Sequence, residues 1–513
     1  MILTINKFRT GLYLGGVALL LLTLPSCKKF LEEKPSKSTA LVVSTTDQLE
    51  ALLSNYATFY QEGNRTAVYS SDNSDLPIDL YKARPGTFSM AVVEFSIWDS
   101  KYLANDGREG FWSGEFRKIF NANMVLGNLD RVTGSPEAKA ALKAEAHFIR
   151  AYSYFQLANT YCLPFNDANK DAQGLPIKQT TSFEEPVKRA KLSEVYDLID
   201  ADLKEALKLN KQLVQNGKPR NWRANTAAIN GFAARYYLQS NNYNEALSYA
   251  NKALTEYNVL VDYNTDMRYG RTSTVTIDGG TPNAQSVTLQ FPYTHDNQSD
   301  LTDMIGWKEL MYFRMLNNES WWYIPSADLL SLYDVNNDLR YKYHIVKNYS
   351  YDRGLIKPSY SYPGYIFFFK DRLPSGPTTA EMYLIKAECL ARNNDVANAM
   401  QAVNTLHKKR VVTGSPDLQA NTKETALRVI LEERRREMPF TMRWFDIRRF
   451  NHNEDATDNV VMKRTFFPYT SSAVQMTESP VQYSLEPNSK RYAAPIPQVD
   501  IISSQGVLEQ NNY

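Results

Sequence analysis

Over about 111–257 and again over about 378–450, apolar residues recur at the 3.6-residue spacing of a helix and never settle into strand alternation. A chain with this much helical period can bury its apolar faces only by packing helix on helix, so a mainly α fold with minor β structure is expected. Ser135 followed by Pro136 predicts a helix start, because a serine hydroxyl caps free N–H groups and proline's missing N–H costs nothing in the first turn. Leu142, Ala146, Phe148, Ile149, Tyr152 and Phe155 give that helix a wide apolar face up to Pro164. Val195, Leu198, Ile199, Leu203, Ala206 and Leu207 predict a second helix. A third begins near Asn225 with Ile229, Phe232, Ala233 and Tyr236, and Ser240-Asn241-Asn242 turns it into a fourth bearing Ala246, Tyr249, Ala250 and Ala253.

The later block repeats this hairpin, with Thr378 and Glu381 at capping-box spacing and a turn at Asn393-Asn394-Asp395. Ala234, Tyr237, Ala246 and Ala253 recur at the same offsets as Ala387, Leu390, Ala399 and Leu406. Small residues at such places let paired helices approach closely, and the spacing resembles the tetratricopeptide repeat.

Segments of about 64–110 and 258–377 lose the period and gain Tyr, Gly, Pro, Asn and Asp. Loops this long inside a compact domain are functional or disordered, and their aromatic content opposes disorder. With 33 Tyr and 7 Trp the chain holds a surplus of flat, amphipathic rings, useful for holding a polar ligand against a surface. A ligand site is therefore expected on these loops: Trp98 with Asp72, Asp75, Tyr81 and Arg84 in the first, and Trp321, Trp322 and Tyr323 in the second.

The N-terminus predicts export. Lys7 and Arg9 precede an apolar run over 11–24 that is too short to span a bilayer, so residues 1–26 read as a signal peptide. Leu24-Pro25-Ser26-Cys27 resembles a lipobox, which makes Cys27 the acylated first residue of the mature protein. The chain has 58 basic against 56 acidic residues, and loss of Lys7 and Arg9 balances them, so no global field favours nucleic acid. Cys162 and Cys389 lie far apart among apolar neighbours and are expected as buried thiols, although one disulfide is possible.

No metal or cofactor is expected. The five histidines lack zinc-ligand spacing, and no phosphate-binding glycine loop, dinucleotide fingerprint or serine elbow occurs. Asp334, Asn336 and Asp338 alternate as in a calcium loop, but Leu339 and Ile345 replace its glycine and terminal glutamate. Glu433 and Glu437 lie one helical turn apart like a glycosidase pair, yet six arginines surround them (Arg434, Arg435, Arg436, Arg443, Arg448 and Arg449), and such cations depress a carboxylate's pKa, the wrong direction for a general acid. Arg434, Glu437, Asp446 and Arg449 are expected instead as structural Arg-carboxylate pairs.

Taken in order, the residues resemble the SusD/RagB lipoproteins, nutrient-binding surface partners of TonB-dependent transporters. The resemblance runs through Cys27 with Phe30-Leu31-Glu32-Glu33-Lys34-Pro35, Trp112 to Ile119, Asn121 and Asn123, Ala144 to Ala151, Tyr161 with Pro164, and Asn225 to Tyr237. It continues through Ile324-Pro325-Ser326, Tyr333, Asp338, Arg340, Arg434, Glu437, Phe445, Asp446 and Arg449, and closes on Pro495-Ile496-Pro497 with Leu508, Gln510 and Asn511. Cys162, where the family usually has glycine, and Gln505-Gly506, where it often has Asn-Pro, depart from the pattern. The resemblance implies one SusD-like domain over 27–513, a tetratricopeptide-like scaffold with ligand-binding loops, and no catalytic activity. It also implies a SusC-like transporter as partner, an oligosaccharide ligand, and lipid attachment to the outer membrane facing the cell exterior. Peptide is the alternative ligand. A lipid-anchored glycoside hydrolase or a purely structural lipoprotein fits less well.

Overall fold

The computed structural model describes residues 43–513 apart from residue 100, 102–109, 297–301, residue 321, 353–360, and residues 370 and 471. Cys27 and Trp321 therefore lie outside the described residues.

Helix α1 (Thr46–Ser54) opens the body under a capping box made by Thr45 and Gln48. The 64–110 segment, expected as irregular, carries three short helices: α2 (Arg65–Tyr69), α3 (Ile78–Ala83) and α4 (Met90–Ile97). Each spans too few turns to develop a readable apolar stripe, and α4 is buried along nearly its whole length, so no period marks it.

The scaffold follows as α5 (Phe111–Asn128), α6 (Pro136–Tyr161), α7 (Leu192–Ala206), α8 (Thr226–Gln239) and α9 (Tyr243–Glu256). Ser135 caps α6 by accepting from the Ala138 N–H at 3.1 Å, and Asn225 caps α8 through Ala228 at 2.8 Å. An exposed antiparallel hairpin, β1 (Tyr269–Ile277) with β2 (Gln285–Pro292), comes next, then α10 (Ala327–Ser331) and α11 (Leu339–His344). The strand Met315–Asn317 pairs parallel with Gln61–Glu62 and antiparallel with Arg372–Pro374, which ties the two loop regions together. Helices α12 (Thr379–Arg392), α13 (Val396–His407), α14 (Lys423–Glu437) and α15 (Arg443–Phe450) complete the helical body. The hairpin β3 (Met462–Phe466) with β4 (Val481–Leu485) and helix α16 (Gln498–Ser503) close the chain. Thr45–Tyr513 forms one compact unit. Among the described residues no helix is long and apolar enough to cross a membrane.

The two helical hairpins, α8–α9 and α12–α13, turn through Asn241 and Asn394 at φ 56° and 63°, the left-handed region that asparagine tolerates better than most residues. Ala234, Ala246, Ala250 and Ala253 in one and Ala387, Ala391, Ala399 and Ala402 in the other are buried, and α9 packs on α12. One sequence expectation needs correction here. Thr378 caps α12 by accepting from the Glu381 N–H at 3.1 Å, but Glu381 does not reach back to close a capping box. Its buried carboxylate takes a two-pronged hydrogen bond from Arg235 on α8, at 2.9 and 2.6 Å. A buried guanidinium needs that carboxylate more than the helix end does.

The arginine-rich helices hold two charge networks. In one, Arg434 and Arg449 both donate to Asp446, and Arg449 forks onto Glu388 at 2.6 and 2.7 Å. In the other, Glu437 accepts from Arg410 and Arg340, which also bind Glu309 and Asp338 respectively. Cys162 and Cys389 are buried free thiols. The Asp334–Asp338 stretch is a turn, in which Asp334 accepts backbone N–H groups and Asp338 caps α11 and binds Arg340.

Candidate functional site

An open polar cleft of about 550 Å³ lies where the 72–78 turn, the end of α4, the start of α10 and strand β3 meet. Asp72, Asp75, Trp98, Ser326, Asp328, Lys463 and Arg464 line it. Strand β3 alternates, so Met462, Arg464 and Phe466 point inward while Lys463 and Thr465 face solvent. Arg464 is the keystone. Its guanidinium donates to the carbonyls of Tyr69, Ser71, Ser74 and Ser96, fastening the 69–74 turn to the end of α4. Burial lowers its pKa, and the charges of Asp75 and Asp72 work against that.

Asp72 is held by the next layer. Burial opposes its charge, but Arg443 forks onto it at 2.7 Å through both nitrogens and Arg435 stands near, bringing its pKa down to about 2. A carboxyl so strongly depressed keeps no proton near neutrality and serves as a fixed acceptor. Asp75 accepts from the Leu76 N–H at 2.8 Å and the Tyr362 hydroxyl at 2.9 Å. Asp328 and Lys463 are exposed at the rim. Opposite charges and hydroxyls spread over one concave wall can donate and accept in many directions, which suits a hydroxyl-rich ligand.

The structure brings Asp72, Asp75 and Trp98 together in this cleft and places Tyr81, Arg84, Trp322 and Tyr323 elsewhere, while Trp321 lies outside the described residues. Trp98 ends α4 in a left-handed conformation, donates its indole N–H to the Ser70 carbonyl at 2.7 Å, and packs against Trp444, Ile447 and Tyr492. The Arg464 guanidinium covers its ring at 5.2 Å, so Trp98 presents an edge and not a free face. Tyr81 is buried edge-on against Phe466. Arg84 ends α3 away from the cleft lining. Trp322 is buried beside Phe88 and Tyr349, and Tyr323 is buried with its hydroxyl donating to the Leu316 and Asp371 carbonyls. The second loop reaches the cleft through Ser326 and Asp328 instead.

Arg464, Lys463 and Asp328 escaped the sequence reading. The one available signal was the short alternation from Met462 to Phe466, which marks a strand but not its destination.

Fold and cleft together define a helical-repeat scaffold protein with a loop-built polar cleft. Two family models match the chain, one described as "Starch-binding associating with outer membrane" over residues 29–238 and one as "SusD family" over residues 379–513. Together they take in more than half of its length, and the chain belongs to the SusD/RagB family, whose members bind starch or sugars in association with the outer membrane. Between the matches, 239–378 holds the β1–β2 hairpin and the whole of the second loop region.

SusD-like protein P25 of Formosa agariphila is 27% identical over a 155-residue alignment that covers 26% of this chain and 27% of that protein. The matched stretch thus spans about a quarter of the relative. A SusD superfamily protein from Bacteroides thetaiotaomicron superposes with a TM-score of 0.62 at 17% identity, covering 91% of this chain and 100% of that one. A putative sugar binding protein from Bacteroides vulgatus gives 0.63 at 18%, covering 92% and 99%. At these identities the structures speak for the fold, a tetratricopeptide-like helical scaffold.

Proposed function

We propose that this protein is a lipid-anchored, cell-surface receptor that captures an oligosaccharide in the Asp72–Arg464 cleft and passes it, unchanged, to a TonB-dependent SusC-like transporter in the outer membrane. The cleft carries the proposal: acceptors at Asp72 and Asp75, a rim acid at Asp328, an ammonium at Lys463 and an aromatic edge at Trp98 surround about 550 Å³. Sugar hydroxyls need such mixed partners, and CH faces need an apolar edge. Family membership supports the ligand class and the membrane, and the lipobox at Cys27 supports the anchor.

The test is calorimetric titration of the mature protein with a panel of neutral and acidic oligosaccharides and short peptides, products being followed by chromatography. Saturable binding of an oligosaccharide without turnover is expected. Hydrolysis would return the enzyme reading, and binding of peptides alone would move the ligand class. Cys27→Ala should release the protein from the outer-membrane fraction.

A further inference from the structure

A second concavity shares no lining residue with the cleft. It measures about 480 Å³, within the ~300–1,000 Å³ of small-molecule sites, and is formed by one face of α5, the 176–187 loop, and α16 with the residues that follow it. We infer that this groove is a second glycan site, one that takes neutral oligosaccharides. The inference rests on the reading of the protein as a glycan binder.

Aromatic rings supply the floor and one wall. Phe116, Phe120 and Asn123 lie at helical spacing along one face of α5. Phe183 stacks over Phe120 with centroids 6.3 Å apart and planes 23° from parallel, yet is itself 94% exposed. A phenylalanine does not stay in water by accident of a loose loop here, because the loop is tied at many points. Asn123 donates to the carbonyls of Lys178 and Thr180, both at 3.1 Å. Glu185 accepts the N–H groups of Gln179 and Thr180, both at 3.0 Å. Thr180 and Ser182 hydroxyls accept from Ser182 and Glu184 on either side of the ring. The loop holds an aromatic face open and pre-oriented, so binding there costs little ordering entropy.

The polar groups select the occupant. Asp500 lies half-buried in the groove wall, its carboxylate makes no hydrogen bond among the described residues, and burial raises its pKa. The second carboxylate oxygen of Glu185 is buried without a donor. Acceptors in want of donors beside flat apolar faces match a sugar ring, which offers hydroxyl protons at its edge and CH groups on its face. A uronate or sulfated glycan would bring charge against Asp500 and Glu185, the Lys178 ammonium of the lining being already engaged by the Glu185 carbonyl, and an aliphatic side chain from a protein would leave both acids without donors. Two sites on one body would hold a long polymer by avidity without any strengthening of either contact.

The test uses the mature protein on an array of neutral glucans, mannans and xylans with alginate and chondroitin as anionic counterparts, followed by calorimetry with the best short neutral oligomer, starting from maltoheptaose. Wild type should bind two equivalents, and Phe183→Ala or Asp500→Ala should bind one with an unchanged melting curve. Retention on the matching polymer should fall roughly tenfold, the loss of one stacking platform. A single equivalent in wild type that Phe183→Ala leaves unaltered overturns the second site while the cleft reading stands. Preferential binding of the anionic glycans at the groove overturns it too. So does an unchanged array with loss of a co-purifying membrane protein, which would make the face a protein-docking surface. No glycan binding at all fells the cleft reading and this one together.

Discussion

Glu388 offers a measurable stake in the buried charge network. Its carboxylate is fully buried and accepts from Arg449 at 2.6 and 2.7 Å and from Arg392 at 2.9 Å. Burial alone would raise its pKa, but the charges of Arg449 and Arg392 hold it far below the ordinary glutamate range. Removing one partner of a buried pair typically costs about 3–5 kcal/mol. In Glu388→Gln the guanidiniums keep second carboxylates, Arg449 on Asp446 at 3.0 Å and Arg392 on Asp458 at 2.6 Å, so the loss belongs at the lower end, about 3 kcal/mol. For a unit of roughly 470 residues the unfolding entropy makes 1 kcal/mol worth about 1 °C, and the melting temperature should fall by about 3 °C. The pH dependence separates this from a packing defect. A depressed carboxylate stabilises the fold fully above its unfolded pKa, near 4.5, and loses that contribution as pH falls below it. The deficit of Glu388→Gln against wild type should therefore shrink between pH 5 and 3 in urea titrations. A variant that melted with wild type at pH 7, or one whose deficit held constant on acidification, would refute the charge argument.

Arg464→Met should leave the carbonyls of Tyr69, Ser71, Ser74 and Ser96 without their donor, lowering the melting temperature and exposing the 69–74 turn to rapid hydrogen exchange. Exchange in that turn at the wild-type rate would remove Arg464 from its role. Asp328→Ala and Lys463→Ala, both at exposed rim positions, should weaken oligosaccharide binding about threefold to tenfold with an unaltered melting curve. Full affinity in both would move the ligand out of the cleft. His344 is buried between the Tyr263 hydroxyl and the Ile366 carbonyl, and burial lowers its pKa to about 4. The unfolded chain takes up that proton below pH 6.5 and the folded one does not, so about 3 kcal/mol of stability should drain away between pH 6.5 and 4. His344→Gln should flatten that slope in calorimetric scans, and an unchanged slope would point to another group.

The scaffold was legible in the sequence because its signals are local. Period, capping residue and turn asparagine all fall within one helical hairpin, and Ser135, Asn225, Asn241 and Asn394 do in the structure what their types suggest. The cleft was legible only where one loop contributes several groups, as with Asp72, Asp75 and Trp98. Arg464 arrives from a strand nearly four hundred residues away, and no pattern around it tells which carbonyls it will meet. The tryptophans show the converse limit. A ring's composition marks it equally for a platform or a core, and Trp322 and the face of Trp98 went to packing because apolar neighbours and a buried guanidinium were already there.

Long irregular segments need some substitute for the ladders of hydrogen bonds that fix helices and sheets, and arginine supplies it repeatedly in this fold. Arg314, in the second loop region, bridges Glu62 and Glu115 on α5 at 2.7 Å each. Arg410 joins Glu309 of that region to Glu437 on α14, and Arg340 joins α11 to the same helix through Glu433 and Glu437. Arg443 holds the Asp72 turn, and Arg464 holds the carbonyls beside it. A planar fork of five donors can satisfy carboxylates and stray carbonyls at once, which a lysine cannot, and it spans a gap without a fixed backbone register. Apolar packing alone would leave such loops with buried carbonyls and no donors. These arginines thus fasten loops to scaffold, and the cleft inherits its shape from Arg443 and Arg464.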